Sequence, residues 1–160
     1  IIKFKPRMGA KGNLSNDFPF FRYAQVLLMK AECLLRTGKS GDAATLVSQV
    51  RQRAFLDAPQ KATVTGSQLE GNSTYQYGYV ENYEIVDPGN TDPIQYGRFL
   101  DELGWEFSVE ATRRRDLIRF GVFTKKSWLS HKPNGDYRTV FPIIQGALDA
   151  NPNLVQHPNY

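Results

Sequence analysis

The sequence predicts a mainly α-helical fold in which tetratricopeptide-like helical hairpins carry long irregular insertions. Two observations predict it. Apolar residues recur at helical spacing through residues 18–55 and again from about 93 to 120. Between these stretches, residues 57–92 lose that spacing and become rich in tyrosine and polar residues. A third observation sets the scale: 160 residues suffice for one domain, or a piece of one, with a buried core.

The elements follow in order. Residues 1–17 are polar, with Gly, Asn and Lys, and read as a loop or a short edge strand. In "FPFFRYAQVLLMKAECLLRTG", Pro19 suits a helix entry and Gly38 a helix stop. Between them Tyr23, Val26, Leu27, Lys30, Ala31 and Leu34 recur at helical spacing. Cys33 sits in this apolar run and reads as a small buried hydrophobe. "SGDAATLVSQVRQRAF" predicts a second helix, with Ser40 as N-cap and Ala43, Ala44, Val47 and Val50 on one face. The two form an antiparallel hairpin in which Ala31, Ala43 and Ala44 permit close approach. No second copy follows at a period of ~34 residues, so a regular array is not expected.

Residues 57–92 form an aromatic-rich insertion. Tyr75, Tyr77 and Tyr79 alternate at period two, which predicts a short strand or hairpin arm, and Tyr83 follows. Long excursions of this kind are more often functional than plain connectors. Helix returns over about 93–108 and continues, with a bend, to about Phe120, where Gly121 suits the stop. Residues 124–140 read as loop, with a turn at Asn134–Gly135. One short helix near residues 143–150 precedes an extended tail through Pro152 and Pro158.

Composition excludes some function classes. The formal charge is +4, from 20 Lys+Arg against 16 Asp+Glu, too small an excess to indicate nucleic acid by itself. No run reaches the ~18 continuous apolar residues of a membrane span. A single cysteine precludes an internal disulfide. The opening "IIKFKPRMGAKGN" lacks an initiator Met and a signal-type apolar core, so the start is expected not to be a native N-terminus, with any targeting signal upstream.

The chemical motifs fail in turn. "GKS" at Gly38–Ser40 resembles the end of a phosphate-binding loop, but Cys33 stands where that loop needs glycine. His131 and His157 lack ligand-spaced partners, and "DPGNTD" at 87–92 offers oxygens without the pattern of a calcium hand. Glu106 and Glu110 would lie about 6 Å apart on a helix, the spacing of a retaining glycosidase pair. Arg113 and Arg114, three and four residues beyond Glu110, are expected to hold that carboxylate in ion pairs instead. No catalytic residue, cofactor or metal site is expected.

"EATRRRDLIRFGVF", residues 110–123, resembles a basic arm at first sight. Helical residues point ~100° apart, so Arg113, Arg114 and Arg115 fan out. Asp116 can answer Arg113 or Arg119, and Leu117, Ile118 and Phe120 are core candidates. The stretch reads as scaffold.

Three blocks then carry a family resemblance. "FRYAQVLLMKAECLLRTG" is similar to a helix Arg-Tyr-Ala-Glu-x-Leu-Leu-x-x-Ala-Glu closed by a Gly turn, with Gln25 in place of Glu. "LDELGWEFSVEATRRRDLIRFG" resembles Glu-Leu-x-x-Glu-Gly-x-Arg-x-x-Asp-Leu-x-Arg-Trp-Gly, matched at Glu106, Glu110, Arg113, Asp116, Leu117, Arg119 and Gly121. Ala111 replaces the Gly of that pattern and Phe120 its Trp. "FPIIQGALDANPNLVQHPNY" is similar to an ending Phe-Pro-Ile-Pro-x-x-Glu-Leu-x-x-Asn-Pro-x-Leu-x-Gln-Asn-Pro-Gly-Tyr. In this order the blocks resemble the C-terminal portion of the SusD/RagB family.

The resemblance implies a SusD-like helical fold. It implies a lipoprotein on the extracellular face of a Bacteroidetes-type outer membrane, anchored by a lipid-bearing cysteine upstream of this sequence. It also implies capture of an oligosaccharide or polysaccharide for a SusC-like TonB-dependent transporter, without catalysis and without nucleic acid. The matched residues are scaffold, so glycan contacts do not carry over by motif. On chemistry alone the candidates are Tyr75, Tyr77, Tyr79, Tyr83 and Trp128, with Asn72, Gln76 and Asn82 as nearby amides. The competing expectation is a tetratricopeptide-like adaptor for protein segments.

Overall fold

A computed structural model of the chain describes residues 8, 9, 11 and 20–160. The loop or edge strand expected over 1–17 lies, but for those three positions, outside the described residues, as does the helix entry at Pro19. The fold is mainly helical. Helix α1 (Tyr23–Arg36) turns back into α2 (Ser40–Gln52), and a short α3 (Gly66–Glu70) follows. A hairpin of β1 (Gly78–Glu81) and β2 (Glu84–Asp87) leads to α4 (Gly97–Glu106) and α5 (Arg113–Arg119). Strand β3 (Trp128–Leu129) and α6 (Gln145–Ala150) complete the chain.

The α1–α2 turn is closed at Gly38, whose φ of 77° suits glycine. The Lys39 amide donates to the Leu34 carbonyl at 2.8 Å and the Gly38 amide to Leu35 at 3.2 Å, satisfying the last carbonyls of α1. Ala31 and Ala43 are fully buried at the hairpin seam, beside Leu28, Leu35 and Val47. Three local expectations are corrected. The buried stripe of α1 is Gln25, Leu28, Ala31, Glu32 and Leu35, while Tyr23 and Val26 are exposed. Cys33 is exposed as well. Helix α1 carries apolar residues on more than one side, so periodicity alone does not select its inward face. Ser40 is the first helical residue, not the N-cap, and Lys39 precedes it without a side-chain cap.

Three further corrections concern element boundaries. The insertion contains α3, too short for periodicity to register. Its signal is the capping box: the Thr65 hydroxyl accepts from the Gln68 amide, and the Gln68 side chain accepts from the Thr65 amide. Leu69 of this helix is fully buried. The helix expected over 93–120 is two helices, because Val109 and Ala111 adopt left-handed backbone (φ 61° and 58°) between them. Ala111 is where the family pattern has glycine, and the positive φ explains why. Residues 124–140, expected as loop, contribute β3, which pairs parallel to β1 in a sheet of order β2-β1-β3.

The layers are joined by charge. Arg119 on α5 holds the Glu32 carboxylate of α1 with two bonds, at 2.7 and 2.8 Å. Arg22, at the start of α1, pairs with Glu110 at 2.8 Å and with Glu106 at 2.6 Å. Arg51 on α2 and Arg98 on α4 converge on Glu102, at 2.8 and 2.6 Å. The expected pairing of Glu110 with Arg113 and Arg114 is replaced by Arg22, since the left-handed break removes the spacing that pairing needs. Arg113 donates to the Leu100 carbonyl at 2.8 Å, in space left open by the missing side chain of Gly104. Asp116, 1% exposed, receives Arg119 at 3.2 Å, one of the two partners expected for it.

Three outcomes test this scaffold. Ala111→Gly should raise stability by about 1 kcal/mol by relieving left-handed strain, read as a shift in urea midpoint. Arg119→Ala should lower it by about 2 kcal/mol, the loss of charge-assisted bonds to a largely buried carboxylate. For Glu32, burial alone would raise the carboxyl, but hydrogen bonds from Arg119 and Arg36 outweigh it and hold it below its ordinary 4.5. A depressed carboxylate gives stability that is complete above the ordinary value and is lost as pH falls through the folded one. Melting temperature should therefore fall as pH drops below 4.5, and less steeply in Glu32→Gln.

Candidate functional site

The insertion is tied to α4 before its aromatic residues begin. Asp101, buried on α4, accepts from the Ser73 hydroxyl at 2.6 Å, the Thr74 amide at 2.7 Å and the Thr74 hydroxyl at 2.9 Å. The Asn72 side-chain oxygen accepts from the Ile94 amide at 2.9 Å, and the Gly71 carbonyl accepts from the Arg98 amide at 3.0 Å. Gly97 is needed at this junction, because a Cβ there would collide with the Ser73 backbone. These bonds fix where residue 75 begins. They also engage the Asn72 oxygen.

The five candidate aromatics separate by environment. Tyr75 is 44% exposed and meets Tyr77 edge to face at 4.9 Å between ring centroids. Tyr77 is half-buried against Ile94, Leu100 and Leu117. Burial pushes its phenol above the ordinary range, against the opposing charge of Arg113. Tyr79 lies on β1 with the Lys132 ammonium 4.1 Å from its ring centroid. Trp128 lies on β3, stacked on His131 at 3.8 Å and packed on the same small core as Tyr77. Tyr83 stands at the hairpin tip, fully exposed, with Asn82 before it. Both tip residues have positive φ, 50° and 68°, the geometry of a tight two-residue hairpin turn.

Tyr75 faces a neighbour that sequence reasoning missed. Trp105, on α4 and 54% exposed, lines the same open depression of about 410 Å³, with Thr74, Asp101, Gly104 and Arg113 at its floor and sides. The Arg98 guanidinium lies over the Trp105 ring at 4.5 Å. Two exposed aromatic residues beside the Arg113 guanidinium make a surface on which a sugar ring can stack and bond, while Thr74 and Asp101, bonded to each other, hold its wall in place. Trp105 was legible only as a helical residue off the apolar face; its exposure is what marks it.

Two other sequence motifs have structural occupants. The "DPGNTD" loop turns its oxygens on Lys126, whose ammonium donates to the Asn90 carbonyl at 2.9 Å and the Asp92 carbonyl at 2.6 Å. A tethered lysine thus takes the place that a cation would fill. His131 is bonded through Nε2 to the Phe123 carbonyl at 3.0 Å, and His157 stacks on Tyr137 at 5.8 Å. Among the described residues no group of three or more His, Cys, Asp or Glu side chains is placed to hold a metal.

Comparison with known proteins adds the family. The profile of the SusD family matches residues 3–140. The starch-binding protein SusD of Bacteroides thetaiotaomicron is 29% identical over 152 residues, which cover 90% of this chain and 22% of that protein. SusD-like protein P25 of Formosa agariphila is 30% identical over 151 residues, which cover 90% of this chain and 24% of that protein. The chain therefore spans about a quarter of the length of these curated relatives.

The hairpin tip gives its own prediction. Left-handed backbone costs a non-glycine residue about 1–2 kcal/mol, so Tyr83→Gly should raise stability by about 1 kcal/mol in thermal or urea unfolding. A loss of stability would mean that the exposed ring packs on something that holds it.

Proposed function

The chain belongs to the SusD family, and from that premise we propose that residues 1–160 are the C-terminal portion of a glycan-binding nutrient-uptake protein, with 57–92 as an aromatic insertion between helices. The whole protein would sit on the extracellular face of the outer membrane, held by a lipid anchor upstream of this sequence. It would deliver oligosaccharide to a SusC-like TonB-dependent transporter. The observation that carries the glycan reading is the family match, with a starch-binding relative aligned over 90% of the chain. Among the described residues no helix is long and apolar enough to cross a membrane, which is compatible with attachment by lipid alone.

Binding without cleavage is supported by the fate of the two glutamates. Arg22 reaches both Glu106 and Glu110, so a guanidinium lies where a glycosidic oxygen or an attacking water would have to enter. Arg53 adds a second contact to Glu106 at 2.7 Å. The depression shared by Tyr75 and Trp105 is the local site we assign to sugar, with Tyr83 and Tyr79 as candidates on the adjoining hairpin. Tyr77, packed on the core and edge-on to Tyr75, supports the platform, and Trp128 packs on the same small core beside His131. A protein-binding adaptor is the competing reading. It draws on exposed Phe21, Tyr23, Val26 and Met29 at the start and outer side of α1.

A glycan array with the full-length protein separates the two readings. Retention of at least one polysaccharide is expected, with affinity about tenfold weaker in Tyr75→Ala and Trp105→Ala, a typical loss for a stacking aromatic. Wild-type protein that retains no glycan across a broad panel, yet binds peptide, would replace the glycan reading with the adaptor.

A further inference from the structure

Resting on the glycan-binding reading, we propose that the cavity under the C-terminal tail is a subsite for an anionic sugar unit, one that carries a carboxylate or a sulfate. The cavity holds about 530 Å³, within the range of small-ligand sites. It opens between α5, the segment after β3 and the tail that ends at Tyr160. Three cations line it, Arg114, Lys132 and Arg138, and among the described residues no Asp or Glu does; Asp136 borders it, bonded to Thr124 of the lining and to Lys125.

That imbalance sets this place apart. Arg22, Arg51, Arg98 and Arg119 all end on carboxylates. Arg114 is held by backbone instead. It donates through Nη2 to the Arg138 carbonyl at 2.8 Å and the Thr139 carbonyl at 3.4 Å, and lies over Phe141 at 4.2 Å and Phe123 at 5.0 Å. Arg138 lies over Tyr137 and Tyr160, at 4.7 and 5.2 Å. Neither pairs with a carboxylate among the described residues. Lys132 reaches Asp87 only at 3.6 Å, with both side chains about half exposed.

Guanidinium groups fixed by carbonyls and rings are already ordered when a ligand arrives, so little freedom is lost on binding. Three of the five N–H groups of Arg114 remain beyond its two carbonyl bonds. A guanidinium fork matches two oxygens of a carboxylate or sulfate, and a concave cluster of one sign concentrates counter-charge. Phe123, Phe141 and Tyr160 supply apolar walls for a sugar ring. A neutral sugar would leave Arg114 and Arg138 without an anionic partner.

The test uses the full-length protein in calorimetric titration with three oligosaccharides of equal length: neutral, uronic-acid-bearing and sulfated. Wild type should bind at least one anionic oligosaccharide, more weakly as salt rises. Arg138→Gln and Lys132→Gln should each weaken that binding about tenfold or more, while a neutral ligand, if bound, changes less than about twofold. The uronate and sulfate arms identify which anion is preferred. Binding of the neutral oligosaccharide alone overturns this subsite and leaves the glycan reading standing. No binding of any of the three, together with an empty glycan array, removes both. Anion affinity unchanged in both variants, with a lowered melting temperature, also overturns it, and assigns the cavity to packing against protein.

Discussion

Charge pairing between helix layers is the interaction on which the rest of the structure depends. The α1–α2 hairpin and the α4–α5 pair share apolar seams, but apolar contact is non-directional and would tolerate more than one register. The carboxylates Glu32, Glu102 and Glu110 are largely buried, and a buried charge without its partner is strongly destabilising. Arg119, Arg51 and Arg22 reach them across the helix layers. Each clamp connects residues 51 to 88 positions apart, so the pairs fix how distant parts of the chain meet.

This requirement reshapes local conformation. Helix α4 must end and α5 must begin at a new angle for Arg22 to reach Glu110 and Arg119 to reach Glu32, and Val109 and Ala111 take left-handed backbone in the turn. Helix α4 then serves two masters. Its Glu102 faces the hairpin, while its neighbour Asp101 holds Ser73 and Thr74 of the insertion. Adjacent residues on one helix thereby link the scaffold to the aromatic surface. The rigidity of the clamps is transmitted to Tyr75 and Trp105 through three short hydrogen bonds.

The basic residues divide into two populations, and that division carries the functional argument. Among the described residues, most arginines are answered by carboxylates or carbonyls of the scaffold, and the three of "RRR" do not share one face. Successive helical positions send Arg113 to the Leu100 carbonyl, Arg114 to the tail and Arg115 to the exposed side of α5 beside Asp116. Around the C-terminal tail, among the described residues, Arg114 and Arg138 are held by carbonyls and aromatic rings rather than by carboxylates.

The sequence by itself determined the helical class, the α1–α2 hairpin, its glycine stop and the seam of small residues, because these rest on contacts within a few positions. It also determined the family, through Glu110, Arg113, Asp116 and Arg119, and the chemistry of the candidate aromatics. It did not determine the partners of those charges. Local spacing put Glu110 with Arg113, whereas the fold put it with Arg22, since pairing across layers depends on how two hairpins dock. Exposure was decided the same way: Cys33 and Trp105 face outward because of what covers the opposite side of their helices. The Tyr75–Trp105 depression and the cationic cavity bring together residues about 30 or more positions apart in the chain or on separate elements, and such proximity is created only by tertiary packing.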